Sequence, residues 1–108
     1  KVDRIITIDA ALKLESEPSG EVAYGVGAAI GDIGPEKIAI ERTAMKYSIP
    51  LDAVVVKMSN EEAINTMNKQ VYEGVMKALR VVKDIIRNKV EEGGKVVVVG
   101  IGNTIGIG

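Results

Sequence analysis

A glycine-rich segment late in the 108-residue chain has the spacing most typical of a binding loop. It follows an apolar run at residues 96–99 and contains Gly100, Gly102, Asn103 and Thr104. A strand followed by such glycines can turn tightly and direct backbone amides at an anion. The spacing departs by one residue from the dinucleotide fingerprint G-x-G-x-x-G, because the third glycine is Gly106. The segment predicts a small-anion or phosphate loop, with a plain glycine turn as the alternative.

Two charged residues follow the other apolar runs and could complete such a site. Lys57 comes after residues 54–56 and could neutralise the anion, although a lysine there can also mark where a strand emerges into solvent. Asp9 follows residues 2–8 and could bind a hydroxyl or a metal, or serve as a turn carboxylate. If these strands are parallel, their carboxyl ends bring Asp9, Lys57 and the glycine segment to one edge of the sheet.

The residue types missing from the sequence limit the reactions that the protein could catalyse and the metals that it could bind. The sequence has no cysteine and no histidine, so disulfides, thiol nucleophiles and imidazole bases are excluded. A metal would need an all-oxygen site, and no acidic cluster suggests one, so we predict none. No pair of carboxylates has a spacing that indicates acid–base catalysis. Neither a reaction nor a cofactor is predicted.

Charge and hydropathy bear on partners and location. Lys and Arg total 14 against 15 Asp and Glu, so the chain lacks the basic excess that a nucleic-acid binder uses, and nucleic acid is not expected as a partner. No apolar run approaches the ~20 residues of a membrane span. The cysteine-free composition suits a reducing compartment, and we expect a cytoplasmic domain.

The hydrophobic pattern predicts an α/β fold for a single domain over residues 1–108. Apolar runs predict strands at 2–8, 52–57 and 95–99, and the segments between them predict helices at 21–31, 35–47 and 60–91. Strands that alternate with helices are typical of βαβ units. We therefore expect a three-layer α/β/α sandwich with a mostly parallel sheet of three or more strands and one long helix in the C-terminal half.

The helices suggest an alternative function in assembly. Residues 59–62 fit a capping box, and apolar residues then recur at spacings of three and four as far as residue 91. In the helix predicted at 21–31, Ala23, Gly27 and Gly31 would form a stripe of small residues. Together these surfaces predict a non-catalytic oligomerisation domain as the alternative to a ligand-binding domain, with a homo-oligomer as its partner.

Three segments also resemble a known family. They are residues 31–36 (GDIGPE), 47–59 (YSIPLDAVVVKMS) and 99–106 (VGIGNTIG). Together they look like a family of uncharacterised archaeal proteins that contain a domain of unknown function and are longer than this chain. The resemblance implies a fragment of a larger protein and assigns no catalytic residue.

Overall fold

The computed structural model describes residues 1–26 and 35–101, apart from the side chains of residues 35–37. This part of the chain forms four strands and three helices, and its architecture is mixed α/β. The elements are β1 (Arg4–Leu12), β2 (Val22–Val26), α1 (Pro35–Lys46), β3 (Leu51–Met58), α2 (Asn60–Ile64), α3 (Lys69–Lys89) and β4 (Val96–Gly100).

The four strands form one sheet in the order β2-β3-β1-β4. The central strand β1 runs parallel to both β3 and β4, with Ile6 opposite Asp52 on one side and opposite Val98 on the other. Strand β2 lies antiparallel to β3, with Tyr24 opposite Val54. The sheet is therefore mixed, and the prediction of a mostly parallel sheet is wrong.

The error comes from the segment predicted as a helix at residues 21–31. Residues 22–26 form an edge strand instead, and residues 27–34 lie outside the described part. Val22, Tyr24 and Val26 alternate with small residues, which is the period-two pattern of a strand. Glycine at position 25 disfavours a helix interior by about 1 kcal/mol. In the fold, the backbone of β3 forms hydrogen bonds with this segment, and helix propensity, which depends on the local sequence alone, does not include that interaction.

The main core lies between α3 and one face of the sheet. Its buried residues are Ile6, Val54, Val56, Met58, Val71, Ala78, Val82 and Ile85. A smaller cluster joins Ala44 of α1 to Ile5 and Leu51. Ile5 and Ile6 are neighbours on β1, so their side chains point to opposite faces of the sheet.

The long helix predicted at 60–91 is interrupted. The capping box is confirmed: the Ser59 hydroxyl accepts from the Glu62 amide, and the Glu62 carboxylate accepts from the Ser59 amide. Helix α2 then ends at Ile64, and α3 begins after Asn68, whose side chain accepts a hydrogen bond from the Val71 amide. A side-chain acceptor at this position satisfies an amide that a continuous helix would bond internally, which favours a new helix start.

The turn before β2 packs directly on the backbone of α3. Gly20 has φ +85° and its backbone lies against Gly74. A Cβ at Gly74 would come within 2.5 Å of the Gly20 carbonyl oxygen. Only glycine allows this approach, which holds the edge strand close to the helix.

Candidate functional site

An open cavity of about 530 Å³ lies at the carboxyl ends of β1, β3 and β4. Its lining residues are Ile8, Asp9, Ala10, Val56, Met58, Glu62, Ala63, Asn65, Thr66, Met67, Val71, Val75, Gly100 and Ile101. The strand ends form its floor, while α2, the start of α3 and the link between them form its walls. The walls exist because the helix is interrupted at residues 65–68.

Two of the predicted site residues meet at this cavity. Asp9 and Gly100 both line it. Asp9 does not end its strand, because β1 continues to Leu12, and its Oδ1 accepts a hydrogen bond of 2.8 Å from the Ala10 amide. Gly100 is the last residue of β4, and a Cβ there would have no atom of the described residues within 4 Å. As far as residues 1–26 and 35–101 are concerned, space is therefore available at the end of β4.

Lys57 is not among the lining residues. Its ammonium group forms an ion pair with Glu17 and lies 3.9 Å from a carboxylate oxygen of Glu21. The hydrogen bond to Glu17 raises the pKa of Lys57, and the same bond, helped by the Leu14 amide, lowers the pKa of Glu17. The pair ties β3 to the turn that precedes β2.

The other predicted site residues, Gly102, Asn103 and Thr104, lie outside the described residues. Of the assembly stripe, Ala23 lies on β2, while Gly27 and Gly31 also fall outside. Because Ala23 belongs to a strand, it cannot take part in a stripe with helical spacing.

Glu62 organises the wall of the cavity. Its Oε1 accepts from the Ser59 amide at 2.9 Å and from the Ser19 hydroxyl at 2.7 Å, and its Oε2 accepts from the Asn68 side chain at 2.6 Å. These bonds, with the Ser59 amide contributing most, lower the pKa of Glu62 to about 2. One carboxylate thus joins the turn before β2, the start of α2 and the N-cap of α3.

A second polar cluster lies at the amino ends of β1 and β3, and the sequence analysis missed it. Asp52 is 0% exposed, and its carboxylate forms an ion pair with Arg4. Its Oδ1 also accepts from the Tyr24 hydroxyl at 3.0 Å and lies 3.6 Å from the Lys89 ammonium. The signal in the sequence was an aspartate inside the otherwise apolar run of residues 51–56.

Lys89 closes this cluster at the end of α3. Its ammonium donates to the Tyr24 hydroxyl and lies 5.0 Å from the centre of the Tyr24 ring. The hydrogen bond to Tyr24 raises the pKa of Lys89, and the nearby Asp52 charge adds to the effect. Each group in the cluster has a partner, so the arrangement is suited to anchoring α3 on the sheet.

A groove of about 620 Å³ separates β2 from the outer side of α3. Its charged lining residues are Glu21, Glu73, Lys77, Arg80 and Asp84. Because both signs of charge are present along the groove, it favours no one class of charged ligand.

The described residues offer neither a cluster of metal ligands nor a membrane-spanning helix. Within residues 1–26 and 35–101, no group of three or more Asp or Glu side chains could hold a metal ion. Across the same ranges, no helix has the length and apolar character needed to cross a bilayer.

The sheet and its cavity define a mixed α/β domain with an open, largely apolar cavity at one strand edge. The chain belongs to the family described as "Domain of unknown function (DUF1512) C-terminal", whose model matches residues 1–108. No curated protein and no solved structure matches the chain.

Proposed function

We propose that this domain binds a small molecule in the cavity at the carboxyl ends of β1, β3 and β4. The cavity's volume of about 530 Å³ carries the proposal, because ligand sites in proteins usually measure about 300–1,000 Å³. Its position is the edge at which open α/β sheets bind their ligands.

The composition of the lining indicates what the ligand looks like. Most lining residues are aliphatic or methionine, and the polar ones include Asn65 and Thr66. None of the described lining residues is a lysine or an arginine, whereas Asp9 and Glu62 are carboxylates. The described part of the cavity therefore favours a ligand with an apolar body and a neutral or cationic polar group.

An anionic or phosphorylated ligand is a narrower form of the same proposal. It requires the backbone amides of Gly102, Asn103 and Thr104 to supply the positive potential. Lys57 contributes to it only if it leaves its ion pair with Glu17. The two ligand classes thus depend on different parts of the chain, and one experiment distinguishes them.

Thermal unfolding with four probes tests both forms. The probes are inorganic phosphate, a nucleoside monophosphate, a medium-chain alcohol and a medium-chain primary amine. A ligand at about 100 times its Kd adds about 2.7 kcal/mol to the free energy of unfolding. We expect the alcohol or the amine to raise the Tm; a rise with phosphate or the nucleotide would favour the narrower form, and Gly102→Val should then abolish it.

The matched variants are Gly100→Leu and Gly100→Ala. The leucine side chain should enter the cavity, which Gly100 lines, and abolish the rise in Tm. Alanine should leave the rise nearly intact, because an added Cβ would have no atom of the described residues within 4 Å. A rise that persists in folded Gly100→Leu, or no response to any probe, contradicts the proposal.

We also propose that the fold has the predicted three layers, with α1 and α3 on opposite faces of the sheet. It is supported by the packing of α1 with Ile5 and Leu51, whose side chains point away from the face covered by α3.

A further inference from the structure

Glu62, in the wall of the cavity, is a half-buried carboxylate without a cationic partner among the described residues. Its hydrogen bonds come from a backbone amide, a hydroxyl and a side-chain amide, all of which are neutral. These bonds, and no described lysine or arginine, account for its lowered pKa. By contrast, the carboxylates of Asp52 and Glu17 are each paired with a basic side chain. The wall of the cavity therefore carries a negative charge that no described basic residue neutralises.

The rest of the chain offers little to neutralise this charge. Residues 27–37 and 102–108, whose side chains the structure does not describe, contain one basic residue, Lys37. It belongs to α1, which packs against Leu51, whereas Val56 lines the cavity beneath α3. Leu51 and Val56 lie an odd number of positions apart on β3, so their side chains point to opposite faces of the sheet. The one remaining basic residue is thus on a helix that contacts the other face.

The Glu62 carboxylate also has room for one more hydrogen bond. An ionised carboxylate offers about four acceptor positions. Among the described residues, its Oε1 accepts two hydrogen bonds and its Oε2 accepts one, from Asn68. A donor on a ligand can therefore bind Oε2 while the other bonds hold the side chain in place.

The second carboxylate of the lining, Asp9, is less suited to this role. Ile8 and Ala10 pack with the core beneath α3, so the side chain of Asp9, between them, points to the other face of the sheet. Its Oδ1 accepts a hydrogen bond from the Ala10 amide. Glu62 is therefore the carboxylate that a ligand on the α3 face meets.

We propose that the cavity selects an organic cation, with an apolar chain and a primary or secondary ammonium group that donates a hydrogen bond to Glu62. This inference rests on the proposed ligand-binding function and names the ligand class. The lining is mostly aliphatic or methionine, so the chain is held by apolar contacts. An ammonium group that leaves water needs an opposite charge, and its hydrogen bond to a carboxylate is about twice as strong as a neutral one. An anion would be repelled by the same carboxylate.

Titration of the methionine methyl groups by NMR tests this preference. Met58 and Met67 line the cavity, whereas Met45 and Met76 do not, so the four methionine signals distinguish binding in the cavity from binding elsewhere. The probes are hexylamine, 1-hexanol and hexanoate, which share one chain length and differ in charge. Hexylamine is protonated at neutral pH, as a lysine side chain is. We expect it to shift the Met58 and Met67 signals and to bind at least about tenfold more tightly than 1-hexanol, with hexanoate weakest.

The Glu62→Gln variant tests the role of this carboxylate. Glutamine keeps the size of the side chain and removes its charge, so the ratio of the Kd values for 1-hexanol and hexylamine should fall from about ten to about one. The matched control is Glu61→Gln, which removes the same charge from an exposed neighbour on α2 and should keep the ratio. Circular dichroism verifies that each variant is folded. The comparison of the three probes on the wild type decides even if Glu62→Gln does not fold.

The outcomes distinguish this inference from the proposed function. Equal Kd values for hexylamine and 1-hexanol, tighter binding of hexanoate, or a preference that persists in folded Glu62→Gln would overturn the cationic ligand and leave a ligand site in the cavity. Signals that shift at Met45 and Met76 in place of Met58 and Met67, or no shift with any probe, would overturn both.

Discussion

The carboxylate of Asp52 on β3 is paired with the guanidinium of Arg4 on the neighbouring strand β1, beneath the end of α3. The Asp52 side chain is fully buried, and that of Arg4 is 15% exposed. Lys89 and Tyr24 contact the same carboxylate from α3 and β2. One acidic group thus joins three strands and a helix at the edge of the sheet opposite the cavity.

We expect Asp52→Asn to lower the free energy of unfolding by about 3 kcal/mol. Removing one member of a buried ion pair leaves the other charge without compensation, which costs about 3–5 kcal/mol when the site is dry. Urea unfolding followed by circular dichroism measures the loss. Adding Arg4→Gln should cost less than the sum of the two single changes, because the two residues share one interaction.

The control for this prediction is Asp84→Asn. Asp84 is 66% exposed and pairs with Arg87 on the surface of α3, where a single ion pair contributes little. Its effect should stay within about 0.5 kcal/mol. Equal effects of the two asparagine variants would refute the anchoring role of Asp52.

Gly74→Ala tests the contact between α3 and the turn before β2. By helix propensity alone, alanine would stabilise the helix by about 1 kcal/mol. In the fold, the added Cβ would lie 2.5 Å from the Gly20 carbonyl oxygen and 2.7 Å from the Gly20 Cα. We expect destabilisation by about 1–3 kcal/mol, since backbone atoms must move. A urea midpoint below that of the wild type would confirm that Gly74 is needed for this contact, and a higher midpoint would contradict it. The control is Gly100→Ala, which should be tolerated because no atom of the described residues lies within 4 Å of a Cβ at that position.

The Glu62 carboxylate should make stability depend on acid pH. Its pKa of about 2 in the folded state lies below the ordinary value of 4.5, so the unfolded chain binds the proton more readily. The stabilisation is present above about pH 4.5 and is lost as the pH falls towards 2. The stability difference between wild type and Glu62→Gln should therefore shrink between about pH 6 and pH 3 in urea titrations.

Glu61→Gln is the matched control for this titration, because Glu61 is the exposed neighbour on the same short helix. Its stability difference from the wild type should change much less over the same pH range. If both variants follow the same pH curve, the hydrogen bonds to Glu62 do not hold its charge as described.

The Lys57→Met variant tests whether the ion pair between Lys57 and Glu17 contributes to ligand binding in the cavity. Since Lys57 does not line the cavity, we expect the ligand-induced rise in Tm to be unchanged by this substitution. The pKa of Glu17 should rise towards its usual value, because its hydrogen bond to Lys57 is the main cause of the lowered value. Carbon-detected NMR titration of the Glu17 carboxyl group measures it. A Tm response that disappears in the folded variant would instead place Lys57 in the binding site.

The sequence correctly predicted those elements for which the local residue preferences and the burial in the fold favour the same secondary structure. The helix that begins at Pro35, the capping box at Ser59 and the buried strand at 51–58 combine local signals with burial. The edge strand at 22–26 was mistaken for a helix because its pairing partner is about 30 residues further along the chain. The interruption at 65–68 was missed because Ile64 and Met67 continue the apolar spacing, although both are exposed in the fold.

The site was predictable to a smaller extent. The expectation that strand ends converge placed Asp9 and Gly100 near each other, since it depends only on β1 and β4 being parallel. The walls of the cavity depend on where α2 stops and how Glu62 bonds to Ser19, which lies 43 positions earlier. The Asp52 cluster joins residues from four elements, and a single sequence does not show which distant cations meet a buried acid.

The position of β1 between β3 and β4 has a consequence for how the protein is made. The Lys95 amide donates to Asp3, 92 positions earlier, and β4 supplies the second neighbour of β1 only when it emerges. During synthesis, one edge of β1 therefore stays unpaired until nearly all of residues 1–100 have left the ribosome. Its apolar residues Ile5 and Ile6 lie beside that unpaired edge during this time. Contacts so distant in sequence slow folding. A nascent chain interrupted before β4 would expose that edge to other chains, so β4 also protects β1 from aggregation.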